Sequence, residues 1–201
     1  ETLPTDSTEY DSVEAAIKAG ITLFGENRVQ EMLRKKPDLH LDGVEKHLIG
    51  HLQTNKVKYI VDKVEMIESV HSVKLAVEID KRCQNAGKVM DILLEVNIGG
   101  EEAKSGFAPE ELLDAVYTIA KLKNVKIKGL MTIPPICDDK ELEKYFANMH
   151  DYYNEIKSMN LSNFDFEILS MGMSGDFYQA ILHGSNLVRV GSAIFGARIY
   201  K

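Results

Sequence analysis

Cysteine is scarce in this sequence. Only Cys83 and Cys137 occur among the 201 residues, and neither belongs to a CxxC or Cys/His spacing. A disulfide framework and a structural zinc site are therefore not expected, and a reducing cytoplasm fits this cysteine usage best. The six histidines also lack the HxH and HExxH spacings, so the sequence does not support a metal site.

Long apolar runs and a surplus of positive charge are also missing. No run approaches the ~18 apolar residues that would span a bilayer, and the N-terminal segment ETLPTDSTEY has no basic region followed by an apolar one. We therefore expect a chain that neither crosses a membrane nor is exported. The 24 Lys and Arg residues against 31 Asp and Glu residues give a net charge of −7, which disfavours electrostatic binding to nucleic acid or anionic membranes.

The composition favours a single globular domain. The sequence is 44% hydrophobic and 27% charged, which is close to the globular average. Most single cores grow to about 250 residues before they divide, and no Pro/Gly/Ser-rich linker interrupts this chain. We expect one domain over residues 1–201.

Short apolar runs alternate with longer amphipathic stretches along the chain, as in a parallel sheet built from βα units. Seven such units are one fewer than in a (β/α)8 barrel of the TIM type, so we expect that barrel with its first strand before Glu1. The alternative is an open doubly wound sheet, but the Gly-rich dinucleotide fingerprint is absent. The predicted strands are Ile21–Glu26, His47–Leu52, Met66–Val70, Val89–Asn97, Val125–Ile133, Phe164–Met171 and Leu187–Phe195.

Local signals predict where several helices begin and end. Asp11, Thr54 and Ser72 are candidate N-caps, and Pro109 suits a first helical turn. Gly87 suits a helix C-terminus, because glycine accepts the left-handed conformation found there. The predicted helices span residues 11–19, 27–36, 53–62, 72–87, 109–123, 139–158 and 175–184.

The last two predicted strands end in glycine- and serine-containing turns. SMGMSGD follows the penultimate strand, and the last strand contains VRVGSA with an inward-pointing Arg189. Barrels commonly bind phosphate at these positions, so the Ser174 hydroxyl and the amides around Gly191 and Ser192 predict a phosphate cup. In the structural alternative, Ser174 only caps a helix and Gly191 only relieves crowding in the barrel.

Two further clusters lie at predicted strand ends. GENRVQE places Glu26 and Asn27 where they could meet a ligand, although Asn27 could instead cap the next helix and Glu26 could pair with a base. IGHLQTNK, which contains His51, is equally well explained as a strand end and a helix cap. No GxSxG elbow is present, so the sequence gives little support to a serine nucleophile.

The segments FGENRVQE, HLIGHLQTNK, KGLMTIPP and MGMSGDFYQAILHGSNLVRVGSAIFGAR resemble, in order and over nearly the whole chain, the pyridoxal phosphate homeostasis protein family. This resemblance implies a fold-type III barrel, like the N-terminal domain of alanine racemase, that carries pyridoxal 5′-phosphate (PLP) at the strand carboxyl ends. It also implies a protein that binds and passes on the cofactor without established turnover.

The resemblance also implies roles for individual residues. Ser174 and the amides around Gly191 and Ser192 would hold the phosphate, and Arg189 would face the pyridine nitrogen. Asn27 would lie against the cofactor ring, and Met131 would line the same cavity.

One departure from the family concerns its Schiff-base lysine. Members carry this lysine at the end of the first barrel strand, in a segment resembling AVSKT, whereas the corresponding place here reads ETLPTDSTEY. The first lysine in the chain is Lys18, inside a predicted helix. Since losing a strand would leave unpaired sheet edges, we expect the missing strand and its lysine to lie upstream of Glu1. The alternative is a member that does not form the usual imine.

Two other functions stay open at this point. A PLP-dependent amino-acid racemase shares the implied fold, but it needs an opposing acid or base that commonly comes from a second domain, for which 201 residues leave no room. A phosphosugar-metabolising barrel enzyme would need an acid/base pair at strand ends, for which Glu26 and Glu95 are the best candidates. For the leading function we expect no catalytic residue, no nucleic-acid or membrane partner, and a cytoplasmic monomer.

Overall fold

Seven parallel strands form one sheet whose spatial order follows the chain. The computed structural model describes residues 7–34, 43–159, 161 and 164–196, with the backbone alone for residues 7–11. Each strand pairs with the next in sequence, from β1 to β7. The strands are β1 Leu23–Glu26, β2 Glu45–Leu48, β3 Met66–Val70, β4 Met90–Val96, β5 Val125–Thr132, β6 Phe164–Met173 and β7 Leu187–Arg189.

Helices connect the strands on the outside of the sheet. None of the helices within the described residues is long and apolar enough to cross a membrane. The helices are α1 Ser7–Lys18, α2 Val29–Arg34, α3 Val73–Ala86, α4 Leu112–Ile119, α5 Asp139–Ser158, α6 Phe177–Leu182 and α7 Ser192–Phe195, with 3-10 helices at Thr54–Tyr59 and Pro109–Glu111.

This strand order confirms the barrel and excludes the doubly wound sheet, in which strand order reverses at a switch point. β1 and β7 occupy the two edges of the sheet, and no pairing joins them within the described residues. The sheet therefore has one strand fewer than a (β/α)8 barrel. The expected strand before Glu1 lies outside the described residues.

The central strands β3, β4 and β5 are largely buried on both faces, and this explains their nearly continuous apolar character. The outer face packs against the helices in one large core that includes Ile67 and Leu94. The inner face carries a smaller cluster inside the barrel, as expected where parallel strands are covered on both sides. That inner cluster consists of Met66, Leu93 and Met131, with Ile168 and Leu187 packed against it.

Some of the predicted helix signals are confirmed and others are wrong. The Ser72 hydroxyl accepts a hydrogen bond from the Leu75 N–H at 3.2 Å, as an N-cap does, and Gly87 ends α3 with φ of 65°. Asp11 is not an N-cap, because α1 already begins at Ser7. Thr54 is the first residue of its 3-10 helix, and Gln53 occupies the cap position.

Two predicted strands extend too far at their carboxyl ends. β2 ends at Leu48 instead of Leu52, and the carbonyl of Gly50 accepts a hydrogen bond from the buried Ser69 hydroxyl at 2.7 Å. The last strand ends at Arg189 instead of Phe195, and residues 192–195 form the short helix α7. The amides at this point bond to the Ser174 hydroxyl, and this gives them a partner outside the sheet.

Candidate functional site

The turns after β6 and β7 meet at the carboxyl end of the barrel. The Ser174 Oγ accepts hydrogen bonds from the backbone N–H groups of Gly191 and Ala193, each at 3.2 Å. Asp176 supports the first turn by accepting a bond from the Met173 N–H at 2.5 Å. The structure therefore brings together the serine and the amides from which the phosphate cup is predicted.

The cup formed by Ser174, Gly191 and Ser192 is open. Gly191 and Ser192 are exposed, and a Cβ added at Gly191 would meet no atom within 4 Å. The same is true at Gly175 in the preceding turn. Free space beside a hydroxyl and backbone N–H groups suits a phosphate, which accepts several hydrogen bonds at once.

Arg189 is the last residue of β7, and its half-buried side chain reaches across to two other strands. One terminal nitrogen, Nη1, donates to the Ser170 Oγ of β6 at 2.5 Å. The other, Nη2, donates to the Thr132 carbonyl at the end of β5 at 2.8 Å. Because both contacts lie inside the barrel, Arg189 points inward as the sequence predicts.

A buried carboxylate on the opposite wall continues this hydrogen-bonding path. The Ser170 hydroxyl donates to Glu68 Oε2 at 2.7 Å, and Glu68 Oε1 lies 2.7 Å from His47 Nδ1. Glu68 is only 1% exposed and His47 only 2%. Neither residue was predicted from the sequence as part of the site.

Burial shapes the electrostatics around Arg189. Desolvation lowers the pKa of Arg189, and the nearby negative charges of Glu68 and Glu95 oppose that shift. Desolvation also raises the pKa of Glu95 to about 7, against the effect of the Arg189 charge. Glu95 Oε2 is buried and has no hydrogen-bond partner among the described residues. Glu95 is therefore a carboxyl group that can hold or release a proton near neutral pH.

The other predicted clusters, GENRVQE and IGHLQTNK, pack against each other. Asn27 is exposed after β1, and its carbonyl oxygen lies so close to Gly50 that a Cβ there would be 2.0 Å away. Glycine is therefore required at position 50 by this close approach. Together the two segments border a shallow cavity of about 220 Å³, lined by Asn27, Arg28, Val29, Gln30, His51, Gln53 and Lys56.

His51 is held by neighbours on the adjoining loops. Its Nδ1 lies 2.7 Å from the Ser105 Oγ, and its ring stacks on that of His71 with centroids 4.6 Å apart. Burial and the neighbouring His51 lower the pKa of His71. These contacts explain the orientation of His51 without a ligand.

Met131 and Glu26 differ in their surroundings. Met131 is fully buried in the inner cluster, beside Met66 and Leu93. Glu26 is the half-buried last residue of β1, and its carbonyl accepts a hydrogen bond from the Ile49 N–H at 2.9 Å.

Within the described residues, no group of three His, Cys, Asp or Glu side chains that could hold a metal ion is present.

Comparison with known proteins identifies the family. The family model for the alanine racemase N-terminal domain matches residues 9–199. The pyridoxal phosphate homeostasis protein of Aquifex aeolicus is 45% identical over 182 residues, which cover 90% of this chain and 79% of that protein. The protein of the same name from Helicobacter pylori is 42% identical over 175 residues, covering 86% of this chain and 76% of its own. This chain belongs to the pyridoxal phosphate homeostasis protein family.

Solved structures of this family and of racemases share the fold. The structure of PipY from Synechococcus elongatus with PLP bound is 32% identical, has a TM-score of 0.85, and matches 93% of this chain and 87% of its own. An alanine racemase from Clostridium difficile has a TM-score of 0.74 at 16% identity and covers 94% of this chain but 47% of its own. The second likeness shows the fold alone. The barrel predicted from the sequence is thus confirmed by family members and by a more distant protein.

Proposed function

We propose that this protein binds PLP at the carboxyl end of its barrel and acts in PLP homeostasis. The observation that carries the proposal is the meeting of the Ser174 hydroxyl, the Gly191 amide and the inward-pointing Arg189 at one end of the barrel. The names of the curated relatives and the PLP bound to PipY support it.

The residues present fit the chemical groups of PLP. Ser174 and the amides around Gly191 and Ser192 would hold the phosphate, since space beside Gly191 is open. Arg189 would face the pyridine nitrogen, Asn27 would lie against the ring, and Met131 would line the same cavity. When bound, PLP supplies an aldehyde that reacts with amines and a ring that can draw electrons from them.

The protein's own residues disfavour turnover. Arg189 is a cation and a hydrogen-bond donor only, so it favours an unprotonated pyridine nitrogen and weakens the ring as an electron sink. We therefore propose a carrier or buffer of the cofactor without catalysis.

The racemase is the alternative function. Racemases of this fold pair the same weak electron sink with a second acid or base. Glu95, with its pKa raised to about 7, is the one observation that favours this alternative, and it makes racemase activity worth testing.

The proposal also covers the compartment, the oligomeric state and the partners of the protein. We infer a cytoplasmic monomer, and the scarcity of cysteine fits a reducing cytoplasm. Its proposed partner is the small-molecule cofactor, because the net charge of −7 disfavours nucleic acid and anionic membranes. The raised pKa of Glu95 suits the phosphosugar enzyme equally, for which Glu26 and Glu95 are the candidate acid/base pair, so it does not distinguish the two alternatives.

The absorption spectrum of the full-length protein tests the proposed function. The protein is purified from cells, and its visible spectrum is recorded before and after borohydride reduction. We expect a yellow chromophore that borohydride removes. A colourless protein that also fails to take up added PLP would contradict the proposal.

A further inference from the structure

A continuous hydrogen-bonding path crosses the interior of the barrel. It runs from His47 on β2 through Glu68 on β3 and Ser170 on β6 to Arg189 on β7, and it ends on the Thr132 carbonyl of β5. β4 and β5 separate the strands of Glu68 and Ser170 in the sheet, so the path joins opposite walls of the barrel. Its only half-buried side chain is that of Arg189, at the proposed ligand-binding end.

Each donor and acceptor along this path is fixed by chemistry. Arg189 can only donate, so the Ser170 oxygen must accept from it and give its single hydrogen to Glu68. The Glu68 carboxylate accepts on both oxygens, and His47 therefore carries its hydrogen on Nδ1. The donor-to-acceptor direction of each hydrogen bond in the path therefore depends on Glu68, which accepts hydrogen bonds at the centre of the path.

We propose that Glu68 is a positioning residue for Arg189. Through the Ser170 hydroxyl it holds the guanidinium in one orientation and balances its charge before any ligand enters. A fixed Arg189 would present a single hydrogen-bonding geometry to the pyridine nitrogen of PLP. This consequence rests on the proposed function. A preorganised donor binds more tightly than one that must be ordered during binding.

A purely structural role explains Glu68 less well. Burying a carboxylate is costly, and an apolar side chain at this position would match its buried neighbours Ile67 and Met66. The nearby Glu95 does not replace Glu68, since Oε2 of Glu95 has no partner among the described residues and the pKa of Glu95 is raised by burial. Of these two carboxyl groups, Glu68 is the one whose two oxygens both form hydrogen bonds in the path to Arg189.

The first test uses the ligand-free, full-length protein, so it does not depend on PLP binding. Nuclear magnetic resonance of protein labelled with 15N-arginine reports whether the terminal N–H groups of Arg189 are held or rotate freely. We expect separately resolved signals in the wild type, and averaged signals in Glu68→Gln and in Ser170→Ala. The Ser170→Ala variant breaks the path without changing any charge. It keeps the test decisive if Glu68→Gln fails to fold.

The matched control is Glu167→Gln, which removes the same charge from a carboxylate that is 68% exposed on β6. We expect it to leave the Arg189 signals resolved. Resolved signals in a folded Glu68→Gln or Ser170→Ala variant would overturn the positioning role.

The second test is a double-mutant cycle on PLP affinity. Glu68→Gln should weaken PLP binding by about tenfold when Arg189 is present, but by less than about twofold in the Arg189→Met background. Equal losses in both backgrounds would contradict a role that acts through Arg189. If wild-type protein takes up no PLP, the proposed function fails, while the resonance experiment still decides the positioning role by itself.

Discussion

The Ser174 hydroxyl and the Gly191 N–H lie 3.2 Å apart and form a hydrogen bond that ties the turn after β6 to the turn after β7. This contact joins the ends of two neighbouring strands at the mouth of the barrel. It also places the Ser174 hydroxyl beside the exposed residues Gly191 and Ser192. A phosphate entering this position would accept a hydrogen bond from the Ser174 hydroxyl and would replace its oxygen as the acceptor of the Gly191 N–H.

Removal of the proposed phosphate cup should weaken PLP binding. The double variant Ser174→Ala with Gly191→Val loses the hydroxyl and fills the open space, and a Val side chain fits there because no atom lies within 4 Å of the added Cβ. We expect affinity for PLP, measured by absorption titration, to fall at least about tenfold, or about 1.4 kcal/mol. Ser158→Ala on the exposed face of α5 should have no effect, and unchanged affinity in the double variant would place the phosphate elsewhere.

No lysine of the present chain should become covalently labelled by PLP. Lys18 is largely exposed on α1 and pairs with Glu14, while Lys104 pairs with Glu101 at 2.5 Å. Lys56 lies on the 3-10 helix Thr54–Tyr59, which is outside the strands of the barrel. After borohydride reduction of the full-length protein, peptide mapping should find the label on a lysine upstream of Glu1. A pyridoxyl group on Lys18, Lys56 or Lys104 would refute this assignment.

Stability should depend on pH through Glu95. Because burial raises its pKa from 4.5 to about 7, the folded protein holds this proton more tightly than the unfolded chain does. The corresponding stability is fully present below about pH 4.5 and is lost as the pH rises through about 7. Glu95→Gln should therefore gain on the order of 2 kcal/mol over wild type at pH 8 and little at pH 4.5. Urea denaturation at both pH values measures this, and an equal effect at the two would contradict it.

Racemase turnover should be slow or absent. Full-length protein assayed with L-alanine and other amino acids should show little exchange of the α-proton, because Arg189 leaves the ring a weak electron sink. The decisive control is a variant of the imine-forming lysine. Multiple turnovers that disappear in that variant would favour the racemase over the carrier.

Local sequence signals predicted much of the fold and located the two turns of the proposed phosphate cup. β3 has the predicted bounds Met66–Val70, and Ser72 caps α3, because apolar runs and cap residues act within a few positions of themselves. The Ser174 and Gly191 turns were identifiable since each follows a strand and carries small polar residues. The apolar run LVRVGSAIF misled the prediction of β7, because the amides of Gly191 and Ala193 bond to Ser174 instead of extending the sheet.

The buried path to Arg189 had no such local signal. A single Glu in the apolar strand MIESV is visible in the sequence, and it marks a buried charge that needs partners. Those partners are His47, 21 residues earlier, and Ser170, 102 residues later. Only the curvature of the whole sheet brings them together, so their contact could not be predicted from spacing.

A crystal structure of the full-length protein grown with PLP tests the central claim most directly. We predict the phosphate within hydrogen-bonding distance of the Ser174 hydroxyl and of the amides around Gly191 and Ser192, with the Arg189 guanidinium facing the pyridine nitrogen. PLP density at any other place, or a cup that stays free of cofactor at saturating PLP, would contradict the account.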